Sequence, residues 1–158
     1  MTTGGDCLCQ LCVDYGNRAD YAEHDRRLID GVQRNGHQCL GIIPTKPTDS
    51  PSYAFTIGLW HSRRQPELAI YGVNDVDQMI NALNVISSRA DTLRPNSRFS
   101  EVLGLRGVDP VDYWVKLMPI HPSWYRSQFG TARWFNAANT VDFLQAVWPD
   151  ASGRYPGD

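Results

Sequence analysis

Lysine is almost missing from this chain: Lys46 and Lys116 are the only two, and the other thirteen of its fifteen basic residues are arginines spread from Arg18 to Arg154. Arg26-Arg27 and Arg63-Arg64 are the only adjacent pairs, and both read as solvated surface. With a formal net charge of −2 and no dense basic run, the chain lacks the clustered positive face that binding to a nucleic-acid backbone requires. No apolar run approaches the ~20 residues that span a bilayer. The amino-terminal segment is polar and acidic, without the charged-then-apolar order of a secretory signal. A soluble, cytoplasmic protein is expected, with no membrane partner and no nucleic-acid partner. Catalytic signatures are missing as well: there is no Gly-x-Ser-x-Gly, no phosphate loop, no Gly-x-Gly-x-x-Gly and no His-Glu-x-x-His, so no nucleotide cofactor is indicated.

What is present suits one domain over 1–158, since 158 residues with 42% hydrophobic content can enclose a sizeable core. Residues 1–16 form a Cys-rich amino-terminal knuckle without periodicity, and 17–158 form an α+β core. Asp20-x-x-Glu23 has the spacing of a capping box, and Tyr21, Leu28, Ile29 and Val32 recur at helical intervals until Asn35-Gly36, predicting a helix over 20–34. A strand follows over 38–43 and a loop over 46–51. Val76, Met79, Ile80, Leu83, Ile86 and Ala90 form an apolar stripe of helical period, which Asn74 or Asp75 can cap. A short strand is expected near 101–105, an alternating one over 112–120, and a last one over 141–148. The aromatic stretch 123–136 reads as one irregular helix or two short ones. The fold expected is a mixed or antiparallel sheet of about five strands with two main helices covering one face.

The cysteines carry the clearest chemistry. Cys7-x-Cys9-x-x-Cys12 places three soft ligands within a few residues, and thiolates suit zinc, which takes four ligands in a tetrahedron. An iron–sulfur cluster and free thiols are the competing readings. A fourth ligand must come from elsewhere: His24 on the first helical turns, or Cys39 beyond that helix, with His37 beside it. Read by themselves, His24 is a solvated helix residue and Cys39 a buried small hydrophobe of its strand.

The central stretch is Ser52-Tyr-Ala-Phe-Thr-Ile-Gly-Leu-Trp60, then a polar turn His61-Ser-Arg-Arg-Gln65, then Pro66-Glu-Leu-Ala-Ile-Tyr-Gly-Val73. Two neighbouring strands are expected there. Together with Val147-Trp-Pro-Asp150 and Gly153-Arg-Tyr-Pro156, these segments resemble the bacterial family called domain of unknown function 4262. The resemblance runs from the first helix to the end and implies no reaction. His37 departs from it, since a Trp is expected after Gly36.

Thr56, His61, Glu67, Asp150 and Arg154 are polar groups in apolar surroundings and must be paired or exposed. In the structural reading Asp150 caps a turn, Arg154 bridges to Asp150 or Glu67, and Thr56 satisfies itself. In the functional reading His61 acts as acid or base with Glu67 or Asp150 orienting it, while Tyr53, Thr56 and Arg154 hold a ligand. His121 reads as a turn residue. The Trp and Tyr side chains around 113–134 are either core and interface or a stacking surface for a planar ligand. The balance falls on a module that binds a small molecule or a protein, with a zinc-stabilised knuckle. A small hydrolase or transferase is the alternative, and a structural or assembly protein the third reading.

Overall fold

Gly58 decides how the centre of the molecule is built. The computed structural model describes residues 7–43, 51–73, 75–89, 91–100, 102, 114–149 and 154–155. In it, strand β2 (Tyr53–Ile57) stops at Gly58, whose φ of 108° belongs to the left-handed region that favours glycine. A side chain there would also collide: an added Cβ would lie 2.7 Å from Val32 Cγ1 and 3.2 Å from the Gly36 carbonyl oxygen. The chain then turns into a short helix, α2 (Leu59–Arg63), where the sequence suggests only a polar turn. Arg64, at φ 56°, ends it and returns the chain to strand β3 (Glu67–Tyr71).

The first long helix, α1, spans Glu23–Asn35 and ends as expected at Gly36, whose N–H donates to the Val32 carbonyl. Its beginning differs from the expected capping box. Asp20 closes a 3-10 turn, Arg18–Asp20, and Ala22 precedes α1 without a side-chain cap. Contacts from afar fix this approach: Arg18 donates to the carbonyls of Gln10 and Leu11, and Tyr21 donates to Gln10 Oε1 while its ring meets Trp134 edge-on. Helix α3 (Val76–Arg89) follows the predicted stripe, and Asp75 caps it by accepting from the N–H groups of Asp77 and Gln78. The aromatic stretch gives a 3-10 turn, Pro122–Trp124, then two short helices, α4 (Tyr125–Gln128) and α5 (Gly130–Asn136).

The remaining strands are β1 (Gln38–Ile42), β4 (Arg98–Ser100), β5 (Trp114–Pro119) and β6 (Phe143–Val147). β4 ends at Ser100, and the short strand expected near 101–105 falls, apart from position 102, outside the described residues. The six strands form one mixed sheet in the order β1-β2-β3-β6-β5-β4. Among the described strands only β3 and β6 run parallel, with Ala69 beside Gln145. The fold is α+β.

The two main helices lie on opposite faces, not on one. Side chains alternate across a strand, so Ala54, Leu68, Ile70, Leu144 and Ala146 face α3 and its Met79, Ala82, Leu83 and Ile86. The intervening Tyr53, Phe55, Ala69 and Phe143 face α1 and the α4–α5 pair. Aromatic packing holds that second layer, with Phe129 stacked on Phe143 at 4.2 Å between ring centres and edge-on to Phe55. A sheet with apolar residues at successive positions needs cover on both sides, which two helices on one face cannot supply. No helix of the described residues is long and apolar enough to cross a membrane.

Candidate metal centre

The amino-terminal knuckle is ordered by what it touches. The Cys9 carbonyl accepts from the N–H groups of Cys12 and Val13, making a tight turn that brings the cysteine side chains to one side. Gln10 seats that turn on the end of α5: its N–H donates to the Phe135 carbonyl and its side-chain amide to the Trp134 carbonyl, groups that the last helical turn leaves without partners. Asn139, just beyond α5, adds a two-pronged clamp, accepting from Leu8 N–H at 2.7 Å and donating to Cys7 Sγ at 3.3 Å. Cys7 and Cys9 are buried and Cys12 is exposed.

The fourth group comes from α2. His61 Nδ1 lies 3.9 Å from Cys7 Sγ, 3.3 Å from Cys9 Sγ and 3.2 Å from Cys12 Sγ. All four donor atoms fall within 4.8 Å of one another, and together they can hold a metal ion. The Phe135 ring, edge-on at 6.3 Å, backs the imidazole. Burial, and then the charge of Arg64, lower the His61 pKa and favour the neutral imidazole that a ligand needs. Burial pushes the Cys9 thiol up to about 12 and raises Cys12 as well. Burial acts on Cys7 in the same sense but is outweighed by hydrogen bonds from Asn139, from the Cys9 backbone and from the other two thiols, so Cys7 lies below the usual thiol range.

Residues 31–158 match the family model described as Domain of unknown function (DUF4262). The chain belongs to this family. No curated protein and no solved structure matches it. In this DUF4262 chain the matched segment contains His61 and Glu67, whereas Cys7, Cys9 and Cys12 precede it.

The two residues proposed from the sequence as fourth ligand stand elsewhere. His24 is exposed and pairs with Asp25, and Cys39 faces α3, its Sγ donating to Asn84 Oδ1. His37 reaches the same Asn84 oxygen. Nothing local in the sequence marks His61 as a partner of cysteines some fifty positions earlier, because only the docking of the knuckle on α5 brings them together.

Glu67 does not orient His61. It is fully buried, and its carboxylate accepts four hydrogen bonds: from Thr56 Oγ1 (2.8 Å) and Leu59 N–H (3.1 Å) on Oε1, and from Gly58 N–H (2.9 Å) and Asn136 Nδ2 (3.2 Å) on Oε2. Two of these donors begin α2, so Glu67 caps the helix that carries His61, and the third element it grips is α5, the seat of the knuckle. Burial raises its pKa, opposed by those same four donors. Thr56 and Tyr53, expected to hold a ligand, are buried with their hydroxyls engaged inside the protein, Thr56 on Glu67 and Tyr53 on the Gln128 carbonyl. Asp150 lies outside the described residues. Arg154 is exposed, and its neighbour Tyr155 donates to the Trp114 carbonyl and lies under the Lys116 ammonium at 4.3 Å. His121 closes its own turn on Ser123, as its setting beside Pro122 suggests.

Proposed function

We propose that this is a cytoplasmic bacterial binding module whose amino-terminal knuckle is held by one structural zinc ion on Cys7, Cys9, Cys12 and His61. The observation that carries this is the convergence of three thiols and one imidazole nitrogen within 4.8 Å. A tetrahedral zinc centre has donor–donor edges of about 3.6 Å between sulfur and nitrogen, from its usual bond lengths. The three Nδ1–Sγ distances, 3.2 to 3.9 Å, bracket that value. Four protein ligands close the shell, which suits a structural ion, since a catalytic one keeps a position open. Thiols that must ionise together in a half-buried site also need a cation, and reduced thiols fit the cytoplasm.

The alternative of a small hydrolase or transferase requires a free imidazole at His61 with Glu67 or Asp150 beside it. Its support weakens because Nδ1 faces the thiols and all four donors around Glu67 serve the fold. Metal analysis of untagged protein purified without chelators tests the reading: about one zinc per chain is expected, lost when Cys7, Cys9 and Cys12 are all replaced by Ser. Wild-type protein that carries no zinc after refolding with excess zinc overturns it.

A further inference from the structure

A second feature lies on the α4 face of the sheet, where the parallel strands β3 and β6 end. A cleft of about 310 Å³ opens between α4 and the sheet, lined by Pro51, Tyr71, Ile120, Trp124, Gln128 and Gln145. An adjoining hollow of about 250 Å³ shares Tyr71 and Gln145 and ends at Trp148. Tyr71 and Gln145 thus line both lobes.

The chemistry of this lining is specific in three respects. Among the described residues no charged side chain lines either lobe, so they offer an ionic ligand no counter-charge for the water it would give up. Two primary amides face the cleft with hydrogen-bonding capacity to spare. Gln145, half-buried between buried Leu144 and Ala146, has no side-chain partner among the described residues, so both ends of its amide stay open to solvent or to a ligand in the cleft. Gln128 accepts from the Tyr71 hydroxyl through Oε1, which leaves its amino group to donate outward. Flat apolar surface is supplied by Tyr71 and by Trp124, which is 58% exposed although most large apolar side chains here are covered.

We infer that this groove binds an uncharged planar heterocycle bearing adjacent carbonyl and N–H groups, the class to which nucleobases and their nucleosides belong. The ring lies against Tyr71 and Trp124, and the amides of Gln145 and Gln128 pair with its polar edge, each supplying the donor or acceptor that the other end of a lactam lacks. A phosphate on the same ligand finds no cation among the described lining residues, so the free base or nucleoside is bound in preference to the nucleotide. The inference rests on the reading of the chain as a binding module and names its site and ligand class; the zinc centre is separate from it.

Titration calorimetry and amide-resolved NMR on the zinc-loaded full chain test it, with uracil, uridine, uridine monophosphate and 1,3-dimethyluracil as probes. Uracil or uridine is expected to bind and to shift the side-chain amide signals of Gln145 and Gln128. Methylation of both ring nitrogens, which removes the donors but keeps the ring, weakens binding about tenfold or more, as does Gln145→Ala. Trp124→Ala, at an exposed position, weakens it without altering the melting temperature, and the monophosphate binds more weakly than uridine. Absence of any shift at millimolar probe, or equal binding of the dimethylated ring, overturns the inference. Zinc content measured on the same samples separates the two readings: loss of ring binding with zinc retained condemns the cleft alone, and ring binding without zinc condemns the metal centre alone.

Discussion

Asn136 donates from Nδ2 to Glu67 Oε2 across 3.2 Å, and this bond ties α5 to the carboxylate that caps α2, the two helices that meet at the candidate metal centre. Glu67 caps α2, which carries His61, while Asn136 stands on α5 one residue after Phe135, whose carbonyl receives the knuckle. The carboxylate therefore touches none of the four candidate ligands, and any effect it has on them runs through the position of α2 and α5.

Replacing it separates fold from site. Glu67→Ala leaves the N–H groups of Gly58 and Leu59 and the Thr56 hydroxyl proton without their acceptor and takes one of two hydrogen bonds from the Asn136 amino group, and is expected to cost about 3 kcal/mol or more in urea unfolding. Glu67→Gln keeps the shape and half of the acceptor capacity, two of the four donors then facing its amide nitrogen, so it should fold at a smaller cost than Glu67→Ala. It is expected to bind zinc at least about tenfold more weakly in competition with a chromophoric chelator, because a mispaired amide loosens α2 against α5. Zinc affinity unchanged in Glu67→Gln would refute the positioning role.

His61 distinguishes a ligand from a catalytic base. His61→Cys offers zinc a fourth thiolate and should retain about one zinc per chain with a near-normal melting temperature, whereas His61→Ala should release metal readily to a chelator. Loss of zinc in both variants, with the fold intact, would count against a four-ligand centre.

Removing the metal should loosen the knuckle selectively. With free zinc at one hundred times its dissociation constant, the loaded protein gains about 2.7 kcal/mol over the metal-free one. Hydrogen exchange should then rise first at the N–H groups of Gln10, Cys12 and Val13, which bond to Phe135 and Cys9, while β2 and β3 stay protected. Uniform exchange across the chain would mean that the metal supports the whole fold.

The metal-free protein should also lose stability in acid. The folded pKa of His61 is lowered by burial and by Arg64, so its contribution is present above the unfolded imidazole's value of about 6.5 and is lost as pH falls through the lower folded value. Glu67, raised by burial, works in the opposite sense: its contribution is present at low pH and is lost as pH rises through its folded value. The two are separated by comparing melting temperature against pH for the metal-free wild type and His61→Gln. The acid-side fall should flatten in the variant.

Leu83 tests the layer opposite the metal centre. It is fully buried on α3 against the sheet, and Leu83→Asp would place an unpaired charge in that core, at an expected cost of about 4 kcal/mol or more by urea unfolding. Unchanged unfolding would remove α3 from the core.

Local pattern was enough for the elements that neighbouring residues determine. The stripe from Val76 to Ile86 needed only its own period to be a helix, Gly36 ended α1 because no other residue adopts that geometry cheaply, and the buried runs of β2 and β3 announced central strands. The three clustered cysteines likewise suggested a soft ligand set from their spacing alone, and the structure brings them together in a group that could hold a metal ion. Where an element's partner lies far along the chain, pattern was silent. The start of α1 is drawn by Gln10 and Trp134 instead of by a capping box, and helices α1 and α3 divide between the faces because both sides of the sheet are apolar. Glu67 reads from the sequence as a partner for His61, yet the left-handed turn at Gly58 swings α2 so that the carboxylate meets backbone N–H groups and the imidazole meets the thiols. Sequence alone thus pointed to the three thiols and most of the secondary structure, which are properties of short segments. Tertiary structure alone decided which histidine joins the cysteines and which amides face the cleft, since both depend on how α2, α4 and α5 pack on a sheet whose strands are distant in the chain.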